Sequence, residues 1–376
     1  MSADAPVRAA LARLKRWLVE DACPLWWERG ADFANGGYFD RLGLDGRPAP
    51  GGKRLRVQAR QAHAFALAAE LGWMGPARAA SRHGLSFVLG HEDGDGLYRL
   101  GATPGALDGM GLVYDQAFVL LALATVGRVF GDGDALEARA ARLRERLGGF
   151  AEPLGGYREA AHLAEPLFAN PNMHLFESFQ AWSACGGDPA WRELAAGQAR
   201  LALDRLIDPA SGALDERYGA SWRTAAAPQT RAVWPGHLYE WAWLLMNWSD
   251  GDETSAAAAL RLIEAAERTG LDPTGAFAIF ALDGALAPTD RGARLWAQTE
   301  RARALARAAA LTGDAALWRS AARACEAVEA FLDAPTRGVW RDWRRGDGVF
   351  VEEPAPASSF YHLVGAIAEL ERLFAG

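Results

Sequence analysis

Cysteine is scarce in this chain, and clusters of basic residues are absent. The three cysteines, Cys23, Cys185 and Cys325, are odd in number and far apart. They fit neither a disulfide framework nor a zinc site made of closely spaced thiolates. The formal net charge is −7, from 40 Lys and Arg against 47 Asp and Glu. Nucleic acid and anionic membrane surfaces are therefore not expected partners.

Long hydrophobic runs are missing as well. No apolar run approaches the roughly 18 residues that a membrane-spanning helix needs. Residues 1–16 lack the apolar centre of a signal peptide. We therefore expect a cytoplasmic protein without a membrane partner, present as a monomer or a homodimer.

The most regular feature of the sequence is a glycine-led, strand-like motif that recurs six times. The leading residues are Gly37, Gly96, Gly156, Gly212, Gly275 and Gly338, so successive glycines are 59, 60, 56, 63 and 63 positions apart. The intervals are rich in Ala, Leu and Arg, which favour helix, and each is long enough for two helices. This pattern predicts an all-α fold, the (α/α)6 barrel, with short β-hairpins or loops at one end. We expect a single domain over residues 1–376.

Within each pair the two helices differ in polarity. The first carries charged residues along one face, as residues 137–145 do, which is typical of an outer helix. The second is apolar on all sides, as over residues 118–124, which indicates a buried inner helix. Every inner helix nevertheless begins with polar residues, and four of the seven histidines lie there: His63, His174, His237 and His362. Because burying polar groups is costly, we expect these residues to surround a central pocket.

Two of these histidines are followed by a glutamate three residues later. His174 and Glu177 share one helix face, as do His237 and Glu240, while His362 lies at the equivalent place in the sixth repeat. A histidine beside a carboxylate titrates near neutrality and can transfer protons. Two such pairs in matching repeats favour catalysis over an ordinary buried pair.

Two other interpretations use the same residues. Histidine and glutamate bind metals, but carboxylate-bridged metal bundles use Glu-x-x-His, whereas this chain has His-x-x-Glu, so we expect no metal and no other cofactor. A glycosidase would need two acids that flank the scissile bond. The candidates for those acids are Asp115, Glu177, Glu240 and Glu300. Glycoside cleavage has no need of three pocket histidines.

Further polar residues suggest how a substrate is bound. Arg60 can donate forked hydrogen bonds to sugar hydroxyls, and some of the 15 tryptophans can stack on sugar rings. Of Asn170 and Asn172, we expect one to cap a helix and the other to contact substrate. The basic loop at residues 53–56 is either an ordinary solvated loop or a site for a phosphate or sulfonate.

In combination, four segments resemble the N-acylglucosamine 2-epimerase superfamily, which includes cellobiose 2-epimerases, mannose isomerases and sulfoquinovose isomerases. The segments are Gln58–Gln61, Asn170–Glu177, Pro235–Ala242 and Phe360–His362. The resemblance covers the whole chain, and the segment ending at His362 is most similar to the mannose isomerase branch. It implies an (α/α)6 barrel and a metal-free rearrangement of a monosaccharide at C1 and C2.

The resemblance also implies roles for particular residues. Those that move or position protons are His237, His362, His174 and Glu240. Those that bind the substrate hydroxyls are Arg60, Tyr114 and Asn170. From their places on the inner helices, we also expect four further residues to bind substrate: Glu177, Trp296, Gln298 and Glu300. Within these sets His237 and His362 form the principal acid–base pair, and Glu240 orients His237.

The implied chemistry starts at the hydrogen beside an open-chain sugar carbonyl. One histidine opens the ring, and a base then removes the C2 proton to give a cis-enediol, whose developing oxyanion Arg60 stabilises. Return of the proton to C1 gives a ketose, and we favour the interconversion of D-mannose and D-fructose. Return to C2 from the opposite face gives an epimer.

Several alternatives to mannose isomerisation stay open at this point. A 2-epimerase would act on a hexose, an N-acylhexosamine or cellobiose, and an isomerase with an anion site would take a phosphorylated or sulfonated hexose. From other classes, the chain would be a glycosidase of the same architecture or a non-catalytic sugar-binding protein.

Overall fold

The computed structural model describes residues 2–100, 111–131, 133–225, 227–248 and 252–375. Within these ranges the chain is mostly helical. The helices are α1 (Ala5–Trp17), α2 (Cys23–Glu28), α3 (Leu55–Glu70), α4 (Ala77–Leu89), α5 (Val113–Phe130), α6 (Gly133–Leu147), α7 (Ala169–Cys185), α8 (Ala190–Leu201), α9 (Pro235–Trp248), α10 (Glu253–Thr269), α11 (Leu295–Thr312), α12 (Ala315–Leu332) and α13 (Ser358–Phe374). A π-helical turn, Leu18–Ala22, joins α1 to α2, and a second, Ala202–Leu206, follows α8.

The helices form two concentric rings. The inner ring contains α3, α5, α7, α9, α11 and α13, each packed against the next, and α13 packs against α3 to close the circle. The remaining helices lie outside, and their amphipathic sequences explain why. In α6, for example, the buried residues form one stripe of Leu136, Ala140, Leu143 and Leu147, which is the spacing of a single helix face. The predicted (α/α)6 barrel is confirmed.

Short strands lie before the amino ends of the inner helices. They are β1 (Arg41–Leu42), β2 (Leu167–Phe168), β3 (Arg217–Tyr218), β4 (Ala281–Leu282), β5 (Pro288–Asp290), β6 (Ala293–Arg294), β7 (Trp343–Arg344) and β8 (Ala355–Pro356). They pair antiparallel as β1–β8, β2–β3, β4–β5 and β6–β7. Because β2, β6 and β8 run directly into α7, α11 and α13, this end of the barrel is its mouth.

The six leading glycines share one backbone conformation. Their φ angles are all positive, from 69° at Gly37 to 92° at Gly338. This region costs a residue with a Cβ atom roughly 1–2 kcal/mol, whereas glycine enters it freely. The recurrent glycine is therefore the residue that lets each hairpin turn.

A side-chain amide at the fourth position of four inner helices fastens the hairpins to the barrel. Each amide bonds both the N–H and the C=O of one hairpin residue, at 2.6 to 3.0 Å. The pairs are Gln58 with Tyr38, Gln116 with Tyr98, Asn172 with Tyr157, and Gln298 with Ala278. The expectation that Gln298 binds substrate is wrong, because its amide is occupied by the backbone of Ala278 and Arg294.

The first and last helices meet where the ring closes. Helix α1 packs on α12 and α13. The ammonium group of Lys15 lies 2.5 Å from Oε1 of Glu371, and the Arg8 guanidinium lies 4.1 Å from the centroid of the Phe374 ring. At the mouth, the β1–β8 pair joins the first repeat to the sixth.

Helix α5 departs from the expectation about apolar runs. By length and composition, Val113–Phe130 is apolar enough to cross a membrane. However, 78% of this 18-residue window is buried inside the barrel, as in the core helix of a globular protein. Its apolar character is explained by its place in the inner ring, between α3 and α7.

Candidate active site

Three histidines from three inner helices gather near the mouth. His174, His237 and His362 are 2%, 5% and 6% exposed. The indole of Trp296 packs near two of them, with its ring centroid 5.0 Å from that of His237 and 5.7 Å from that of His362. On the other side, the Tyr361 ring lies 4.7 Å from His362 and 6.3 Å from His174. Three of the four histidines predicted to converge on the pocket therefore share one aromatic-lined space.

His237 is held by a residue that its helix does not contain. Its Nδ1 lies 2.8 Å from Oε2 and 2.9 Å from Oε1 of Glu216, in the hairpin before α9. Because a carboxylate can only accept, Nδ1 carries the hydrogen that is donated to Glu216. The expectation that Glu240 orients His237 is wrong: Glu240 lies one turn deeper, where Arg303 contacts it at 3.4 Å.

His362 is held in the same way by Glu300. Its Nδ1 lies 2.7 Å from Oε1 of Glu300, and Oε2 of Glu300 accepts a hydrogen bond from Nε of Arg303. Glu300 is fully buried, so its predicted contact with substrate is wrong, because both oxygens already have protein partners. It positions His362 instead.

His174 forms the one predicted pair that the structure contains. Its Nδ1 lies 3.3 Å from Oε2 of Glu177, and that oxygen also accepts a hydrogen bond from the Tyr361 hydroxyl. Glu177 was expected to bind substrate, but it lies beneath His174 and Tyr361. Although burial opposes it, the hydrogen bond from His174 lowers the pKa of Glu177 to about 2.

The surroundings shift the pKa values of the three histidines differently. Burial lowers the pKa of His174 to about 3 and places the pKa of His362 well below its ordinary value. At His237 burial acts in the same direction, but the negative charge of Glu216 outweighs it and raises the pKa. Burial thus favours the neutral form of His362, while Glu216 favours the protonated form of His237.

Two deeper carboxyls are also perturbed. Burial raises the pKa of Glu300 to about 7, and burial together with the Glu300 charge raises the pKa of Glu240 well above its usual range. The Arg303 guanidinium contacts both. The floor of the site is therefore a buried network of two acids and one arginine.

Arg60, Tyr114 and Asn170 come from the three adjacent helices α3, α5 and α7. Nη2 of Arg60 donates to the hydroxyl of Tyr114 at 2.8 Å, and its guanidinium lies 4.0 Å from the ring centroid of Phe118. Nε of Arg60 and Oδ1 of Asn170 are buried without hydrogen-bond partners among the described residues. Asn172, by contrast, uses its side-chain amide to bond the backbone of Tyr157 in the hairpin of the third repeat. This arrangement leaves Arg60 and Asn170 with hydrogen-bonding capacity for a ligand.

Two half-buried indoles line the mouth. Trp296 was expected there, whereas Trp234, directly before α9, is a residue that sequence reasoning missed; its ring lies 5.0 Å from His237. A Cβ atom on Gly236 would come within 2.4 Å of the Trp296 ring. Glycine at this position therefore allows the indole to pack against the start of α9.

His63 does not join the other histidines. Its Nδ1 bonds Oγ1 of Thr125 at 2.8 Å, and burial lowers its pKa to about 4. It lines a second cavity, of about 760 Å³, at the carboxyl ends of the inner helices. Glu177, Arg303 and Tyr361 line that cavity too. These three side chains therefore lie between the cavity and the histidines.

The basic loop at residues 53–56 is neutralised by acids. Nζ of Lys53 lies 2.7 Å from Oδ2 of Asp32 and 2.6 Å from the carbonyl oxygen of Gly36. Arg54 bonds Asp40 through its backbone N–H at 3.1 Å and through its side chain. Arg56 contacts Asp115 at 2.9 Å. Each of the three basic side chains thus already has a carboxylate partner.

Two triads near the floor place potential metal ligands within 4.8 Å of one another. They are His174, Glu177 and Glu240, and Glu240, Glu300 and His362. Glu240 belongs to both triads and contacts Arg303. A fixed guanidinium therefore already supplies positive charge to these carboxyls, which makes the donor set a poor fit for a divalent cation.

Comparison with known proteins agrees with this architecture. The model of the family described as N-acylglucosamine 2-epimerase (GlcNAc 2-epimerase) matches residues 37–366. A mannose-6-phosphate isomerase of Rhizobium meliloti (strain 1021) is 40% identical over 370 residues, which are 95% of this chain and 96% of that protein. A D-mannose isomerase of Thermobifida fusca is 32% identical over 343 residues, 81% of each protein.

Among solved structures, a cellobiose 2-epimerase from Bacillus thermoamylovorans B4167 superimposes with a TM-score of 0.85 at 18% identity, covering 97% of this chain and 100% of that one. Barrel, site and sequence matches together define an enzyme of the sugar isomerase and epimerase class. The chain belongs to the N-acylglucosamine 2-epimerase family.

Proposed function

We propose that the protein interconverts D-mannose and D-fructose through a cis-enediol, without a metal ion. The observation that carries this proposal is that two histidines beside Trp296 have pKa values shifted in opposite directions. The pKa of His237 is raised and that of His362 is lowered. A proton donor and a proton acceptor are both required for transfer between neighbouring carbons. The names of the two relatives that are isomerases of mannose or its phosphate support a mannose-type sugar.

In this mechanism His362 takes the C2 proton of open-chain mannose through Nε2. A double bond forms between C1 and C2, and O1 takes a proton from His237, which gives the enediol. The O2 proton then returns to His237 as C2 becomes a carbonyl, and His362 gives its proton to C1. Nothing is consumed, and both histidines return to their starting states. Glu216 and Glu300 position the two rings, while Arg60, Tyr114 and Asn170 bind hydroxyls.

Metal independence is supported by the charge of Arg303. A metal ion would polarise the sugar oxygens as a Lewis acid, but the carboxyls that could hold it, Glu240 and Glu300, both contact this arginine. In the proposed reaction the proton on His237 and the donors on Arg60 polarise those oxygens instead.

A neutral hexose is favoured over an anionic one. A phosphate or sulfonate needs cations with donors to spare, and the basic loop considered for that role is ion-paired to Asp32, Asp40 and Asp115. Phosphorylated mannose is nevertheless the direct comparison substrate, because of the name of the 40% identical relative.

The runner-up is a 2-epimerase, since the same two imidazoles would serve it. In that case His237 would return a proton to C2 on the face opposite His362. A glycosidase is disfavoured because Glu177 and Glu300, two of its candidate acids, are hydrogen-bonded to histidines. The cytoplasmic location and the monomeric or homodimeric state stay predictions of the sequence.

The test is proton NMR of the protein with D-mannose in D2O, with EDTA and without added metal. Fructose bearing deuterium at C1 is expected and would support the enediol route. Formation of glucose with deuterium at C2 would instead support the 2-epimerase. Turnover of mannose 6-phosphate but not mannose would contradict the neutral substrate, and activity restored only by added metal would contradict the metal-free reaction.

Two variants connect the activity to the site. His362→Gln is expected to lose turnover by at least a hundredfold, because general base catalysis is worth about 10²–10⁴ in rate. The matched control is His162→Gln, since His162 is exposed and lies outside the inner helices. Equal activity in the two variants would remove His362 from the mechanism.

A further inference from the structure

An acidic residue occupies the same place in the hairpins of four repeats. Its backbone C=O accepts a hydrogen bond from an N–H at the start of the preceding inner helix, at 2.9 to 3.2 Å. The four acids are Asp40, Glu159, Glu216 and Asp342, and the donors are Ala357, Val113, Ala169 and Leu295 respectively. This bond holds the backbone of all four residues at the mouth of the barrel.

In three of the four repeats the carboxylate is occupied by other side chains. The partners are Arg54 for Asp40, His237 for Glu216, and Ser359 with Arg294 for Asp342. At this position, Glu216 therefore holds a candidate catalytic histidine, whereas Asp40 and Asp342 stabilise the mouth of the barrel. Glu159 is the remaining member.

Glu159 lacks such a partner on one oxygen. Its carboxyl lies against the backbone N–H of Tyr114 in the first turn of α5. Its Oε2 is buried and has no hydrogen-bond partner among the residues that the structure describes. Buried polar atoms are almost always hydrogen-bonded in native proteins, so a bound molecule is the expected partner of this oxygen.

Tyr114 connects Glu159 to the substrate side of the pocket. The backbone of this residue contacts Glu159, and its hydroxyl accepts the hydrogen bond from Arg60 at 2.8 Å. Arg60 and Asn170, both expected to bind hydroxyls, likewise have one buried atom without a partner among the described residues.

We propose that Glu159 is a further substrate-binding residue, which as a neutral carboxylic acid donates a hydrogen bond to a hydroxyl oxygen of the sugar. This inference rests on the proposed function in one respect, that the pocket binds a monosaccharide. It adds a contact that spacing and resemblance did not indicate. Glu159 touches the substrate but neither gives nor takes a proton in the reaction.

The protonation of Glu159 follows from its surroundings. Burial, and then the negative charge of Asp115, raise its pKa to about 8, while the Tyr114 N–H and Arg56 act in the opposite direction. The charged groups that face it are Asp115 on α5 and Arg56 on α3, which pair with each other at 2.9 Å. Below pH 8 the carboxyl keeps its proton, and above pH 8 the donor is lost and substrate affinity falls.

The experiment compares KM and kcat for D-mannose from pH 6 to pH 10 in three variants. Wild-type KM is expected to rise about threefold to fivefold between pH 8 and pH 9, since the protonated fraction of a group with a pKa of about 8 falls from about a half to about a tenth. Glu159→Gln keeps an amide donor, so its KM should stay within about threefold of wild type at pH 7 and remain flat to pH 10. Glu159→Ala should raise KM roughly tenfold at pH 7.

The control is Glu145→Gln, an exposed position on α6 of the same repeat, which should follow wild type throughout. If Glu159→Gln retains the alkaline rise in KM, or Glu159→Ala changes the melting temperature but not KM, the proposal is overturned. Failure of the proposed function is distinguishable, because wild type would then not turn over mannose. Binding of mannose, followed by tryptophan fluorescence in the same variants, would then provide the affinities.

Discussion

At the scale of single residues, two chemically identical imidazoles differ because of what lies behind them. Glu216 sits in a hairpin and raises the pKa of His237. Glu300 is fully buried, its own charge is disfavoured, and the pKa of His362 remains well below its ordinary value. In the proposed mechanism, the direction of proton transfer would therefore depend on Glu216 and Glu300, the carboxyls behind the two rings.

Glu216→Gln should move the alkaline limit of activity to lower pH. The change removes the charge that raises the pKa of His237, so this histidine loses its proton earlier as pH rises. We expect the alkaline limb of kcat/KM to shift to lower pH and kcat near pH 8 to fall roughly tenfold to a hundredfold. The measurement is a pH–rate profile from pH 5 to pH 10.

Glu240→Gln is the matched comparison, because Glu240 shares a helix with His237 but contacts Arg303. Its alkaline limb should shift less than that of Glu216→Gln. A larger shift in Glu240→Gln would mean that the pairing inferred from sequence spacing, and not the hairpin carboxylate, controls His237.

Spacing along a helix predicts which side chains share a face, and it found the His174–Glu177 pair. It failed for His237, since the third position of α9 turns the imidazole toward the hairpin while Glu240 lies a turn deeper. A signal for Glu216 did exist: the motifs led by Gly37, Gly212 and Gly338 are each followed by an acid. Because Gly212 is followed by Asp215 and Glu216, this signal narrows the partner to two adjacent acids without choosing between them.

At the scale of elements, the barrel depends on side-chain amides at the starts of inner helices, the same positions from which residues of the candidate site come. Gln58, Gln116, Asn172 and Gln298 each occupy the fourth position of an inner helix and bond a hairpin backbone. Sequence reasoning counted Gln298 as substrate-binding because polar residues at inner-helix starts serve two purposes. Pocket and hairpin both adjoin the mouth, and only side-chain direction separates them.

Gln298→Leu should destabilise the fold more than it impairs chemistry. The change leaves the buried N–H and C=O of Ala278 without partners, which we expect to cost about 2–4 kcal/mol of unfolding free energy. Urea denaturation measures this loss, and the exposed Gln229→Ala is the control. An unchanged midpoint together with a large rise in KM for mannose would return Gln298 to the substrate-binding set.

The alternation of outer and inner helices was predicted where the repeat was regular. The six positive-φ glycines and the alternation of outer and inner helices follow from local chemistry. The pairing of β1 with β8 did not follow, because it joins residues more than 300 positions apart. Such contacts depend on ring closure, which no local pattern encodes.

At the scale of the whole molecule, the site exists because six separate helices end at one place. His174, His237 and His362 come from the third, fourth and sixth repeats, and Arg60 comes from the first. None of these helices alone positions two of the three histidines. Activity should therefore be lost together with the global fold, and not repeat by repeat.

The contact between the first and last helices has a topological consequence. Because α1 is held to α12 and α13 without a peptide link, the six repeats have a cyclic order in which no repeat must come first. Chain ends that lie together tolerate circular permutation. A permutant with its ends joined by a short Gly-Ser linker and a new opening between Gly186 and Gly187 should fold and turn over mannose. The control is the same opening without the linker, which gives two separate chains. If the joined permutant does not fold, the order of synthesis, and not closure of the ring, governs assembly.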